Sequence, residues 1–180
     1  MKTFKINMKP FVADKHDCRA AIWTPWIVDD SIVATTGRIM VIIEKDYFTT
    51  GEVRLSMPPV QGSSDHPKIA ALLEGKAELC SRTLLSTSLV PCKSFYHETP
   101  VKSRTCRVCY TKNGTENLNI ARLHLSGDLY LDVQAKYIDA ISKFPDLEIK
   151  ASACEYSMIY FTFRYGFGLF MPIRRPEQEE

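Results

Sequence analysis

Phe4, Ile6 and Met8 alternate with polar neighbours, the period-two pattern of a half-buried strand. Residues 9–15 then predict a short helix, because Pro10 fits a first helical turn, where its missing N–H costs nothing. From Ala20 to Ile43 β-branched and aromatic residues dominate, interrupted at Asp29-Asp30 and Gly37, which predicts two or three strands. Residues 52–55 predict another strand, ahead of a loop through Pro58-Pro59 and Gly62-Ser63-Ser64, and the rest of 45–65 has no clear period. A helix is expected next, capped by Ser64 or Asp65, with Ile69, Leu72, Leu73 and Ala77 on one face. Residues 84–90 read as a strand, and 91–114 is polar, irregular and cysteine-bearing.

The last third is patterned more sharply. Leu118, Ile120, Leu123 and Leu125 suggest a strand, and Gly127-Asp128 turns the chain into a second one over 129–133. A helix is predicted over 135–144, with Tyr137, Ile138, Ile141 and Phe144 on one face, Lys136, Asp139 and Lys143 outside, and Pro145 as its stop. Alternation returns at Leu147, Ile149 and Ala151 and again across 158–165, and 169–171 forms a final strand after Gly166 and Gly168. Strands with two or three short helices make an α+β chain. It reads as a single domain over 1–180, with 91–114 as an inserted cysteine-rich loop and no tandem repeat.

Composition narrows the class. Of 180 residues 45% are hydrophobic and 24% charged, enough apolar material for a core and too much for a disordered chain. Lys+Arg 23 against Asp+Glu 21 leaves a net charge of +2, which excludes a polycation that binds nucleic acid by bulk charge. The longest strongly apolar run, at 39–43, is far short of the ~20 residues of a membrane span. No apolar stretch of a secretory signal follows the N-terminal Met, so a cytoplasmic, reducing setting is expected. Six cysteines are then free thiols or metal ligands rather than disulfides.

Four segments, in order, resemble the last domain of the bacterial DNA polymerase sliding clamp, the beta subunit of the replicative polymerase. Leu129-Tyr130-Leu131-Asp132-Val133 with Ala135-Lys136-Tyr137-Ile138 is similar to the clamp strand entering its helix. Ala140-Ile141-Ser142-Lys143-Phe144 resembles the helix body, and Leu147-Glu148-Ile149-Lys150 the strand after it. Leu169-Phe170-Met171-Pro172-Ile173-Arg174 resembles the family's terminal apolar pair followed by Met-Pro-Met-Arg. In the N-terminal half, residues 19–38 resemble the clamp strand pair leading into Ala-Thr-Asp-Gly, with Thr36 where the family has Asp.

The resemblance implies two pseudo-repeated halves, each a helix among strands, with both helices on the DNA-facing side. The first would span about residues 9–17 and the second 135–144. It implies a non-enzymatic factor of bacterial or phage DNA replication, with Lys9, Lys15, Arg19, Lys136 and Lys143 meeting double-stranded DNA at its phosphates. It also implies a partner-protein site at Met171, Pro172, Ile173 and Arg174. A clamp chain carries three such domains, whereas one compact domain of this length has a radius of gyration of about 16 Å. Encircling a duplex would therefore need homo-oligomers.

Cys106-Arg107-Val108-Cys109 has the spacing that brings two thiolates to one tetrahedral zinc, at about 2.3 Å from each sulfur. Cys92 and His97 lie upstream as the remaining ligands, with Cys80 or His124 as alternatives to His97. Metal would supply ordering energy that the apolar content of this loop does not. An exposed loop with unliganded thiols is the plainer alternative. Lys93, Lys102, Arg104, Arg107 and Lys112, interleaved with Phe95, Tyr96 and Tyr110, could track a single strand or be surface charge on that knuckle. No phosphate-cradling glycine loop, nucleophile elbow or His-Glu-x-x-His run is present, and His16-Asp17-Cys18 reads as structural. A second function class stays open: a zinc-stabilised module that engages replication proteins without touching DNA.

Overall fold

The β-branched stretch after Pro25 folds as a three-strand antiparallel meander in the computed structural model, which describes residues 3–67, 86–90, 120–124, 130–151 and 158–173. Its strands are β2 (Trp26–Val28), β3 (Ser31–Thr35) and β4 (Ile39–Glu44), preceded in the chain by β1 (Phe4–Ile6). Val28 pairs with Ser31, so Asp29-Asp30 is a two-residue hairpin loop, and Asp29 takes φ 49, a left-handed conformation that Asp tolerates.

Strands from the far end of the chain complete this sheet. β12 (Gly166–Phe170) pairs antiparallel with β4, β11 (Ile159–Phe163) with β12, and β10 (Glu148–Lys150) with β11. On the other side β6 (Val60–Gln61) lies parallel to β2, giving the order β10-β11-β12-β4-β3-β2-β6. Gly168 sits at the β4–β12 seam, where a Cβ would strike the Phe161 ring and the Met40 carbonyl, so no larger residue fits.

Both faces of the sheet are covered, which explains the unbroken apolar run in β4. Ile39, Val41 and Ile43 face the main core together with Ile32, Phe161 and Phe170. Met40 and Ile42 face a second cluster with Ile22, Trp26, Val33, Tyr160 and Leu169. The main core is closed by a smaller antiparallel sheet of β7 (Ser86–Val90), β8 (Ile120–His124) and β9 (Tyr130–Gln134), and by β1 paired in parallel with β5 (Val53–Leu55).

Among the described residues two short helices spring straight from strand ends. α1 (Lys45–Thr49) follows β4 and lays Tyr47 and Phe48 on the core, a helix that the weakly patterned stretch 45–65 did not reveal. α2 (Ala135–Ile141) follows β9 and buries Ala135, Tyr137, Ile138 and Ile141, with Lys136 and Asp139 exposed, as the periodicity predicts. It ends three residues earlier than expected. Phe144 N–H closes a tight turn on the Ile141 carbonyl (2.8 Å), and the approach to Pro145 disfavours further helix.

The helix expected over 9–17 is a correction. Only a 3-10 turn forms, at Lys9–Phe11, and Val12 already has extended dihedrals. Ala13 N–H bonds the Ile22 carbonyl (2.9 Å), which draws the chain away from helix. Asp14 and Asp17 then accept from the N–H groups of His16 and Arg19 (2.9 Å each), local bonds that compete with helical ones. Of the helix expected from Ser64 only residues 64–67 are described, and they form a turn closed by His66 N–H on the Ser63 carbonyl (3.1 Å); the remainder, like loop 91–114, lies outside the described residues. The described part is α+β with sheet predominating.

Candidate nucleic-acid interface

Phe11 anchors the 3-10 turn beside α2. It is fully buried and stacks on Phe144 at 6.0 Å, and Phe144 in turn lies 4.4 Å from Phe163 of β11. This aromatic bridge sets the turn and the helix side by side, and Lys9 and Lys136 stay exposed on the two elements.

The segment after the turn is tied to the β3–β4 connection by Arg19. Its guanidinium donates to both carboxylate oxygens of Asp17 (Nε to Oδ1 2.9 Å, Nη2 to Oδ2 2.8 Å) and to the Thr36 carbonyl (3.2 Å). Hydrogen bonds from the Arg19 side chain, and then from its backbone N–H, hold the Asp17 carboxyl at about 2, below its ordinary 3.8. Trp23 donates its indole N–H to the Asp17 carbonyl (3.0 Å), which fixes the ring.

The connection itself is a hydroxyl-stabilised turn. Thr35 Oγ1 donates to the Ile39 carbonyl and accepts from Gly37 N–H (2.9 Å each). Thr36 Oγ1 accepts from the N–H groups of Arg38 (3.2 Å) and Ile39 (3.3 Å). An Asp carboxylate at that position would offer an acceptor to the same two donors, so the departure from the Ala-Thr-Asp-Gly pattern leaves the turn chemistry intact. Gly37 has φ +83, and a Cβ there would also stand 2.6 Å from Arg19 Nη1.

Between the 3-10 turn, this connection and α2 opens a cleft of about 990 Å³. Lys9, Lys15, Arg19 and Lys136 line it, four of the five residues assigned to DNA from the sequence. Arg38 joins them, and with Asp14 and Asp17 opposing, the wall carries an excess of three positive charges. Lys136 Nζ stands 5.4 Å over the Tyr137 ring, whose phenol burial raises above its ordinary range, with Arg38 opposing the shift. Lys143 is exposed beyond the end of α2 and is not part of the cleft. Neither Arg38 nor Tyr137 was assigned to the site from the sequence; the cation directly after Gly37 in a tight turn was the available signal for Arg38.

The terminal segment borders the same wall. Met171 N–H donates to the Arg38 carbonyl (2.9 Å) and Ile173 N–H to the Asp132 carbonyl (2.7 Å), which stitches 171–173 between the halves. Met171, Pro172 and Ile173 line a cavity of about 440 Å³ with Arg38, Gln134 and Tyr137. The Gln134 Oε1 atom there is buried with no hydrogen-bond partner among the described residues. An adjoining, mostly apolar cavity of about 370 Å³ is lined by Ile22, Ile39, Met40, Met158, Leu169 and Met171, with Arg19, Arg38 and Asp65 also on its wall. Arg174 lies outside the described residues.

The zinc ligand set Cys92, His97, Cys106 and Cys109 also lies outside them, as does Cys80, and His124 is described by its backbone alone. Among the described residues no group of three or more His, Cys, Asp or Glu side chains converges. Cys18 is exposed beside an Asp17 already committed to Arg19. No described helix is long and apolar enough to cross a membrane. No family model, curated protein or solved structure matches the chain.

Proposed function

We propose that this protein is a non-enzymatic, sliding-clamp-like accessory factor that binds DNA in bacterial or phage replication. The observation that carries the reading is the convergence of Lys9, Lys15, Arg19 and Lys136 on one cleft beside α2, the element the resemblance places toward DNA. The 3-10 turn packed against α2 brings Lys9 to the same cleft, although the helix that the resemblance implies over 9–17 does not form. Each half also runs a strand directly into a short helix, β4 into α1 and β9 into α2, through an extended residue, Glu44 and Gln134.

Cations that neutralise phosphates release counterions, so affinity falls steeply with salt. Titration of labelled DNA across a salt series tests the reading; binding indifferent to salt, or absent at low salt, would overturn it. Chromatographic mass would show whether copies assemble to the size a ring requires.

A second reading follows from the cavities along Met171, Pro172 and Ile173. Apolar lining beside Arg38, Gln134 and Tyr137 suits a short peptide segment of a replication protein, with its side chains in the pocket. The zinc-stabilised interaction module belongs to this reading. A chain that captures such a peptide but shows no DNA affinity would favour it.

A further inference from the structure

Resting on the DNA-binding reading, we infer that the cleft seats a single nucleic-acid strand, with Arg38 as its central phosphate ligand and Trp23 as the ring on which a base lies. Lys9, Lys15, Arg38 and Lys136 are all exposed and, among the described residues, none makes an ion pair, whereas Arg19 is bound to Asp17. Four cations are therefore free to meet phosphate. Asp14 is the opposing carboxylate left on the wall, beside His16 at 3.9 Å.

Arg38 is central because it lines the cleft and both neighbouring cavities. Its backbone is held at both ends, N–H to Thr36 Oγ1 and carbonyl to Met171 N–H, while its side chain is exposed. A guanidinium on a fixed stem loses less freedom on binding, and its planar fork matches two oxygens of one phosphate.

Shape selects a strand over a duplex. A duplex, stiff over a persistence length of about 50 nm, can lie across the open cleft and meet its outer cations but does not fold into it. A single strand bends at each nucleotide and can enter. The volume, about 990 Å³, is at the top of the ~300–1,000 Å³ range of pockets that enclose small ligands, room for a few nucleotides. Trp23 is half-buried, and its ring is pinned by the bond to the Asp17 carbonyl, the fixed aromatic surface on which bases of any identity stack. An acidic peptide would satisfy the cations but bring no base to that ring.

The test compares a labelled ten-residue oligothymidylate, a duplex of twenty base pairs and polyglutamate on the full chain. Four phosphate contacts give a slope of about −2.8 in log affinity against log salt for a single strand, a loss of about 50-fold between 50 and 200 mM. Arg38→Gln should lower the slope to about −2.1, Arg38→Lys should restore it, and Lys150→Gln, outside the cleft, should leave it unchanged. Quenching of tryptophan emission by the oligomer should vanish in Trp23→Phe, with circular dichroism as the check on folding. A duplex that binds while the oligomer does not would overturn the single-strand inference and leave the DNA reading standing. Failure of both nucleic acids would end both. Polyglutamate displacing the oligomer at equal charge concentration would make the cleft an acidic-peptide site and overturn the inference, as would a slope unchanged by Arg38→Gln.

Discussion

Phe144 joins the candidate site to the core, and replacing it by alanine should damage both. The ring is buried and touches four others: Phe163 at 4.4 Å, Phe11 at 6.0 Å, Phe161 at 6.1 Å and Phe4 at 6.2 Å. An aromatic side chain buries roughly 150–250 Å². At about 25 cal/mol per Å², that is about 4–6 kcal/mol of transfer energy, part of which alanine retains. The cavity left among rings that cannot collapse adds to the loss, so Phe144→Ala should cost about 3–5 kcal/mol. Phe11 rests on Phe144, so Phe11→Ala should lose a similar amount, and the double variant less than the sum. Urea unfolding followed by tryptophan emission measures all three, because Trp26 is buried in the second cluster. Phe144→Leu, which refills most of the volume, should cost about 1.5 kcal/mol or less. The folded Phe144→Ala protein should also bind DNA more weakly, since the 3-10 turn carrying Lys9 loses its seat. A loss below about 1 kcal/mol, or an additive double variant, would refute the idea that this ring holds the turn against α2.

Thr36→Val should leave two backbone donors without their acceptor and cost about 1–2 kcal/mol, read as a fall in Tm of about 2–8 °C, while Thr36→Asp should stay near wild type. Asp17 titrates at about 2 in the folded protein against an ordinary 3.8. A lowered carboxyl contributes stability that is complete above 3.8 and disappears as pH falls toward 2, so the urea midpoint should drop across that window, and Asp17→Asn should flatten the drop. An acid limb identical in the two proteins would argue against the Arg19 latch. If Cys92, His97, Cys106 and Cys109 hold zinc as the spacing suggests, metal analysis of the purified protein should find near one equivalent, falling in Cys106→Ser and Cys109→Ser; metal-free protein would leave the plainer reading of unliganded thiols.

Local patterning made much of this protein readable. Alternation at Phe4 and Ile6, the breaks at Asp29-Asp30 and Gly37, and the buried face Tyr137, Ile138, Ile141 all reflect short-range rules of side-chain period and turn chemistry. Lys9, Lys15, Arg19 and Lys136 were legible as charges near two elements, whereas Arg38 was not. Other features depended on partners remote in the chain. Residues 9–17 carry helix-compatible composition, yet the bond from Ala13 to Ile22 and the side-chain bonds of Asp14 and Asp17 outcompete a helix whose nucleus is costly to form. α1 is five residues long and half-buried, too short for a period to declare itself.

The amino-acid order by itself determined the α+β character, most strand positions and the identity of the cations, because each depends on neighbours within a few residues. Only the tertiary structure decided that β4 pairs with β12, that β1 and β5 run parallel, and that Arg38 joins Lys9 and Lys136 across one cleft. Those outcomes arise from burying apolar faces against segments that lie from tens to more than a hundred residues away in the chain, and are therefore invisible to any local window.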